Sequence, residues 1–345
     1  MTKIAYINEK IKEYNKKIYI PGDKSLSIRF VLLASQAIGK SSSYNLLKSE
    51  DVMNALKVIK KLGINYRIKK NLCEIDGKGL GGFKFKNNTI INAGNSGTLA
   101  RLIFGLLINS KNTVILKGDK SLSKRDFSRI TKPLRLFGAN IKSKNNSLPV
   151  EIKGTKFIRP INYVENIGSA QIKTACCFAA LNSPGITYIK AKKSRNHTEN
   201  MLLKNSHVIK LKKSKKNIIE IFGKKSLKRQ KINVPGDPSS AAFFSALTLL
   251  SKGSSIQMKN ICLNKTRIGF YNLLKKQGAK IKFKNLYEEN NEVRGDILVQ
   301  SSNLKPIKAN KEYYVNSTDE YPILFVIAAL TKGVSVFKGI SDLAN

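Results

Sequence analysis

The sequence predicts an α/β protein of two domains, built from one repeated unit with a helix deep inside it. Three observations carry this expectation. The chain has 345 residues, 41% of them hydrophobic, which is enough to bury a core in each of two ordinary domains. An apolar stretch of about a dozen residues recurs along the chain at a spacing of roughly 70, as internal duplication produces. The stretches are 28–38, 99–108, 172–181, 241–250 and 323–330. Each is apolar all round, which predicts a helix buried on every side rather than an amphipathic surface helix.

Most of these stretches run through a turn into a β-rich segment, at 113–116, 186–189, 255–258 and 334–337. A second, amphipathic helix is expected next. It is clearest at 52–62, 128–137 and 268–277, each followed by Gly63, Gly138 or Gly278 where a helix ends in a left-handed residue. The third copy is more degenerate, around His207. After 334–337 a surface helix and another strand would be due, but the sequence given ends at Asn345, so the second domain is expected to lack its last repeat.

Composition narrows the function classes. Lysine and arginine number 63 against 22 acidic residues, a net charge of +41. Such an excess ordinarily points to nucleic acid or an anionic membrane, because phosphate backbones are bound through clustered cations. Here eleven of the basic residues are arginine and 52 are lysine, and the lysines are dispersed along the whole chain. Lysine replaces arginine cheaply on a solvated face, but not where a planar fork must grip a phosphate or carboxylate. The remaining arginines therefore mark candidate anion sites. No run reaches the roughly 18 apolar residues of a membrane span, and no secretory-type run opens the sequence, so no membrane partner and a cytoplasmic address are expected. Cys73, Cys176, Cys177 and Cys262 form no CxxC pair and have only His197 and His207 to join them. Neither a disulfide framework nor a metal site is expected. Cys176 and Cys177 fall in an apolar run and read as core.

Each apolar stretch is approached through a short polar segment, at 21–25, 94–98, 168–171, 235–240 and 316–320. Capping residues are expected at any helix start, so one such segment carries little weight. Several together carry more, because helix N-termini present free N–H groups and a positive dipole end, and converging them makes an anion site. In the first segment Lys24, Ser25 and Arg29 share the opening turn and one helix face. An ammonium, a hydroxyl and a guanidinium there suit a phosphate monoester. The other reading is a solvated basic helix start, against which the apolar run beside Arg29 argues. The spacing does not fit GxxxxGK[ST], which excludes an ATP-binding P-loop.

Taken in order, PGDKSLSIR (21–29), GNSGTLAR (94–101), GDKSLSKRD (118–126), GSAQIK (168–173), SRNHTENML (194–202), VPGDPSSAAFF (234–244), NKTR (264–267) and DEYP (319–322) resemble the successive motifs of the EPSP synthase family, and of its class II branch in particular. The resemblance covers essentially the whole chain. It implies an enolpyruvyl transferase fold of two domains made of βαβαββ units around buried parallel helices. The expected division is 1–17 with the second domain, 18–232 as the first domain and 233–345 as a second domain truncated before its last repeat.

The resemblance also implies roles. Lys24, Ser25 and Arg29 would hold substrate, with Lys24 reaching both shikimate 3-phosphate and phosphoenolpyruvate and counted as catalytic. Gly97 would line the phosphoenolpyruvate pocket with its backbone, where a side chain would intrude. Arg125 would grip phosphoenolpyruvate; the family has proline after this arginine, whereas this chain has Asp126. Ser169, Ala170 and Gln171 would contact shikimate 3-phosphate, Gln171 also reaching phosphoenolpyruvate, and Arg195 would bind the shikimate phosphate. Asp319 would accept the proton of the attacking 5-hydroxyl; on composition alone it reads as a helix cap. Arg267 reads as structural. The implied reaction belongs to the shikimate pathway of aromatic amino acid and chorismate biosynthesis and uses no metal and no cofactor. The implied partners are the two small substrates of a monomeric enzyme. Further family motifs would lie beyond Asn345, so a 345-residue chain is expected to show little or no turnover by itself. The competing classes are an RNA 3′-phosphate cyclase-like nucleic-acid binder, which would interleave aromatic residues with a basic stripe, and an inactive relative.

Overall fold

The computed structural model describes residue 6, residues 8–212, residues 217–340 and residue 343. Residues 1–5 and 7 of the expected 1–17 segment, and Asn345, at which the last repeat was expected to stop, lie outside the described residues. Two compact units emerge: a larger one of residues 21–235 with 288–292, and a smaller one of residues up to 20, 236–287 and from 293 onward.

In the larger unit, helix α1 (Lys24–Gln36) opens where Asp23 is extended and its carboxylate accepts the backbone N–H of Leu26 at 2.8 Å. Residues 26–36 are all buried. The helix ends earlier than the apolar run suggests, because Ala37 leaves the helical backbone and starts the strand Ala37–Tyr44. The helix passes into the strand through the buried Ala37, with no turn between them to mark the boundary. Helix α2 (Glu50–Lys61) is amphipathic and is closed by Gly63 at φ +90°. Helix α3 (Gly97–Leu107) is followed by the amphipathic α4 (Ser128–Leu136), closed by Gly138 at φ +103°. Helix α5 (Ala170–Asn182) buries every residue from Ile172 onward, including Cys176 and Cys177. The degenerate third copy supplies only the short α6 (His197–Leu202).

These helices serve three sheets of one topology. Strand Thr89–Asn92 pairs parallel with Thr113–Lys117, which pairs antiparallel with Val150–Lys153, which pairs antiparallel with Asn140–Ser143. The same order is repeated by Asn162–Glu165, Ile186–Ala191, Asn217–Phe222 and Ile209–Lys212. Each is a βαβαββ unit. The first copy has Ala37–Tyr44, Leu72–Lys78 and Tyr66–Lys69, but its parallel partner comes from the far end of the unit, as Leu227–Lys228 and Lys231–Asn233. Helices α3 and α5 touch backbone to backbone at Gly105, where a Cβ would stand 2.3 Å from the Ala175 carbonyl oxygen.

The smaller unit contains α7 (Pro238–Leu250), α8 (Gly269–Lys276), α9 (Lys311–Ser317) and α10 (Tyr321–Ala329). Its main sheet again begins with a strand from a distant part of the chain. Asn15–Tyr19 runs parallel to Ser255–Cys262, which is antiparallel to Glu292–Gln300, with Lys280–Glu289 at the edge. A second parallel pair, Lys308–Ala309 with Val336–Phe337, flanks α9 and α10. The core gathers Ala242, Met258, Phe270, Tyr271, Ile297, Tyr321 and Leu324.

One expectation is corrected here. Helices α7 and α10 are not buried all round: Phe243 is 66% exposed, Phe325 39% and Val326 55%. In the larger unit a run apolar on every face meets neighbours on every face, whereas α7 and α10 pack against each other and the described residues cover only one side of them. The polar segment 316–320 does lead into α10, as a turn rather than a free end. It joins the end of α9 to a 3-10 turn, Thr318–Glu320, that enters α10 directly. Among the described residues no helix is long and apolar enough to cross a membrane.

Candidate active site

Three of the polar lead-in segments open α1, α3 and α5 of the larger unit, and their side chains form two linked groups. In the first, Arg29 projects from the second turn of α1 and is only 2% exposed. Its Nη1 donates to the Ser25 carbonyl at 3.1 Å, its Nε to the Thr198 hydroxyl at 2.9 Å and its Nη2 to the Thr174 hydroxyl at 3.4 Å. Lys24 is exposed at the helix start, its Nζ 3.8 Å from Asp51 at the start of α2. Ser25 is half-buried beside it.

The second group surrounds the start of α3. Ser96 caps the helix by accepting the N–H of Leu99, and Gly97 is the first, buried residue. A Cβ on Gly97 would lie 3.1 Å from Nη1 of Arg125 and 3.3 Å from Nη1 of Arg101. Both guanidiniums therefore approach the backbone at the positive end of this helix because no side chain intervenes. Arg101 donates from Nη1 to Oε1 of Gln171 at 2.8 Å, and Gln171 donates from Nε2 to the Thr98 hydroxyl at 3.2 Å, which fixes the amide between α3 and α5. Burial, then the neighbouring charges of Arg125 and Arg129, pull the pKa of Arg101 below its ordinary value. Arg101 also lies over the ring of Phe127 at 5.6 Å.

Arg125 is exposed on the turn ahead of α4, and its place is set by two aspartates. Asp119 accepts the backbone N–H of Leu122 at 2.7 Å and the Asn95 amide at 2.5 Å, tying the Arg125 turn to the lead-in of α3. The Asn95 and Leu122 hydrogen bonds hold the Asp119 carboxyl below its usual range. Asp126, standing where the family pattern has proline, accepts both the N–H and the hydroxyl of Ser128, at 2.7 and 2.6 Å, and so secures the first residue of α4. A proline fixes such a corner by its ring; here an aspartate fixes it by hydrogen bonds.

At α5, Ser169 caps the helix through the N–H of Ile172, Ala170 is its first residue, and the buried Glu165 accepts the N–H groups of Ile167 and Gly168. Gln171 and Thr174 stand one turn apart, so α5 joins the Arg101 group to the Arg29 group. Arg195 is half-buried just ahead of α6, which contributes Thr198. The larger unit thus holds Lys24, Ser25, Arg29, Gly97, Arg125, Ser169, Ala170, Gln171 and Arg195. Asp319 belongs to the smaller unit, exposed in the turn that enters α10. Its neighbour Glu320 is buried and accepts from the hydroxyl of Ser239 at the start of α7, where Arg267 also donates to Asp237 at 3.1 Å and to Ser239 at 3.0 Å.

Residues 8–345 match the sequence profile of EPSP synthase (3-phosphoshikimate 1-carboxyvinyltransferase). This chain belongs to the EPSP synthase family. A 3-phosphoshikimate 1-carboxyvinyltransferase of Zymomonas mobilis is 37% identical over 341 residues, covering 98% of this chain and 75% of the relative. One of Caldicellulosiruptor bescii is 37% identical over 336 residues, covering 96% and 77%. A solved EPSP synthase of Acinetobacter baumannii superposes with a TM-score of 0.84 at 33% identity, over 96% of this chain and 75% of that one.

Within the family framework, sequence reasoning placed Arg101 in a motif without giving it a role, and passed over Thr98, Asp119, Thr174 and Thr198. Arg101 had a signal: it is one of eleven arginines and stands one turn after Gly97. The three threonines had none, since a threonine on a helix reads as filler until its partner from another element is known.

Proposed function

We propose that this chain serves the transfer of the enolpyruvyl group of phosphoenolpyruvate to the 5-hydroxyl of shikimate 3-phosphate, with release of inorganic phosphate. The observation that supports the reading is the approach of the Arg101 and Arg125 guanidiniums to the opening of α3, with the buried Arg29 of α1 joined to them through Thr174 and Gln171 of α5. Guanidiniums held near one another repel, and a ligand with several negative charges relieves that repulsion. Both substrates are such ligands.

In this reading Lys24, Ser25, Arg29, Ser169, Ala170, Gln171 and Arg195 hold shikimate 3-phosphate. Lys24, Gly97, Arg125 and Gln171 hold phosphoenolpyruvate, and Asp319 takes the proton of the attacking hydroxyl. The 5-oxygen bonds to C2 of phosphoenolpyruvate as C3 gains a proton. The tetrahedral adduct then loses phosphate by cleavage of the C2–O bond, and C3 gives up a proton to restore the double bond. The residues act by position and by preorganised positive charge. The chemistry is acid–base throughout and calls on no metal or organic cofactor. The lysines, dispersed rather than aligned along one stripe, favour small-molecule partners over nucleic acid, and we read the protein as a cytoplasmic monomer.

Calorimetric titration of the purified chain with shikimate 3-phosphate tests the reading. Saturable binding that Arg29→Ala or Arg195→Ala weakens is expected. Absence of binding at millimolar ligand, or binding indifferent to both substitutions, overturns it.

A further inference from the structure

We infer that Thr174 and Thr198 are positioning residues that set the plane of the Arg29 guanidinium for an anionic substrate. The inference rests on the reading above and assigns a task to two residues that it leaves unused.

A guanidinium recognises a carboxylate or phosphate through a planar fork, so its plane must be fixed before the ligand arrives. A free arginine side chain loses rotamer freedom when it is fixed, a cost that a preformed clamp meets before the ligand arrives. Arg29 is held from three elements: by the Ser25 carbonyl of its own helix, by Thr174 of α5 and by Thr198 of α6. The two hydroxyls are themselves joined at 2.7 Å, with both threonines 1% exposed. One hydroxyl donates to the other while both accept from the arginine, so the pair is oriented as a unit.

Holding three helices together does not explain this arrangement. Valine has the same shape and carries no polar atom into the core, so apolar packing there would be obtained with less desolvation. What valine cannot do is accept from a guanidinium. The placement is also specific. Thr174 is one turn from Gln171, Thr198 is three residues after Arg195, and Arg29 is one turn from Ser25. Every member of the clamp is thus within a turn of a residue assigned to substrate.

The test compares the purified chain with Thr198→Val, Thr198→Ser and Thr174→Val. Shikimate 3-phosphate affinity is measured by calorimetry, hydrogen exchange of the Arg29 Nε–H by nitrogen-15 NMR, and thermal unfolding controls for the fold. Each valine variant is expected to bind about tenfold more weakly, as befits a lost hydrogen bond to a charged group. Thr198→Ser, which keeps the hydroxyl, is expected to stay within about twofold. The Arg29 Nε–H should exchange faster in Thr198→Val than in the parent. If the parent binds and the valine variants bind equally well, the clamp is refuted while the reading of the site stands. If serine weakens binding as much as valine does, methyl packing is the cause and the clamp is again refuted. If the parent does not bind, the reading of the site fails; unchanged Nε–H exchange in Thr198→Val then removes the clamp as well.

Discussion

The buried ion pair between α5 and α6 supports a quantitative prediction. Lys173 Nζ lies 2.6 Å from Oε1 of Glu199, with side chains 4% and 6% exposed. The second carboxylate oxygen of Glu199 is buried with no hydrogen-bond partner among the described residues. Removing one member leaves the other charged and unpaired in the interior, which costs about 3–5 kcal/mol. For a unit of this size each kcal/mol shifts the midpoint by about 2–4 °C, so Lys173→Met or Glu199→Leu should lower it by roughly 6–20 °C. The double substitution removes both charges and the unpartnered oxygen. Apolar replacement of a buried pair is often neutral or stabilising, so the double variant should be more stable than either single one. Scanning calorimetry and urea titration of the four proteins complete the cycle. Costs below about 1 kcal/mol for both singles, or a double variant as destabilised as their sum, would refute the argument.

Further outcomes follow from the packing within each unit. Gly97→Ala should leave stability unchanged or slightly higher, because alanine favours helix and the new methyl meets the movable ends of Arg101 and Arg125 at 3.3 and 3.1 Å and Leu122 Cδ1 at an ordinary 3.6 Å; it should weaken phosphoenolpyruvate binding severalfold, measured by competition calorimetry. Gly105→Ala, whose methyl would meet the Ala175 carbonyl at 2.3 Å, should cost about 3 kcal/mol by overpacking in a denaturant titration. Burial pushes the Cys73 thiol from 9.0 up to about 12, with Glu74 adding to it, and burial, then Cys176 and Glu165, push Tyr163 from 10.0 up to about 12. The unfolded chain sheds those protons first, so stability should fall as pH rises from 9 towards 12 in alkaline denaturation midpoints. At pH 8 the four buried cysteines should resist a thiol reagent until denaturant is added.

Much of the fold was legible in the residues. A run apolar on every face, a capping lead-in and a closing glycine such as Gly63 or Gly138 specify a central helix and its amphipathic partner almost by themselves. Two things were not legible. The strand Lys231–Asn233 is three residues long and acquires meaning only beside Ala37–Tyr44, so no local pattern announces it. The open faces of α7 and α10 look the same in sequence as the closed faces of α1 and α5, because apolarity records what a surface can bury and not what covers it. At the site, the helix openings were readable as motifs. The partners of Arg29, coming from three elements, were not.

The borrowed strand has a consequence for biosynthesis. The amide of Asp23 donates to the carbonyl of Pro235 at 2.8 Å, so the long segment 21–235 of the larger unit begins and finishes at the same spot. A ribosome delivering this chain releases α1 and its sheet early, yet that sheet lacks its parallel edge until Leu227–Lys228 and Lys231–Asn233 emerge. The first repeat to be made is the last to be sealed, and a stalled or nicked chain would leave its edge open to pairing with another molecule. The same adjacency means that a short tether joining 21 to 235 would give a unit that could be cut open at any of its surface turns without losing a pairing.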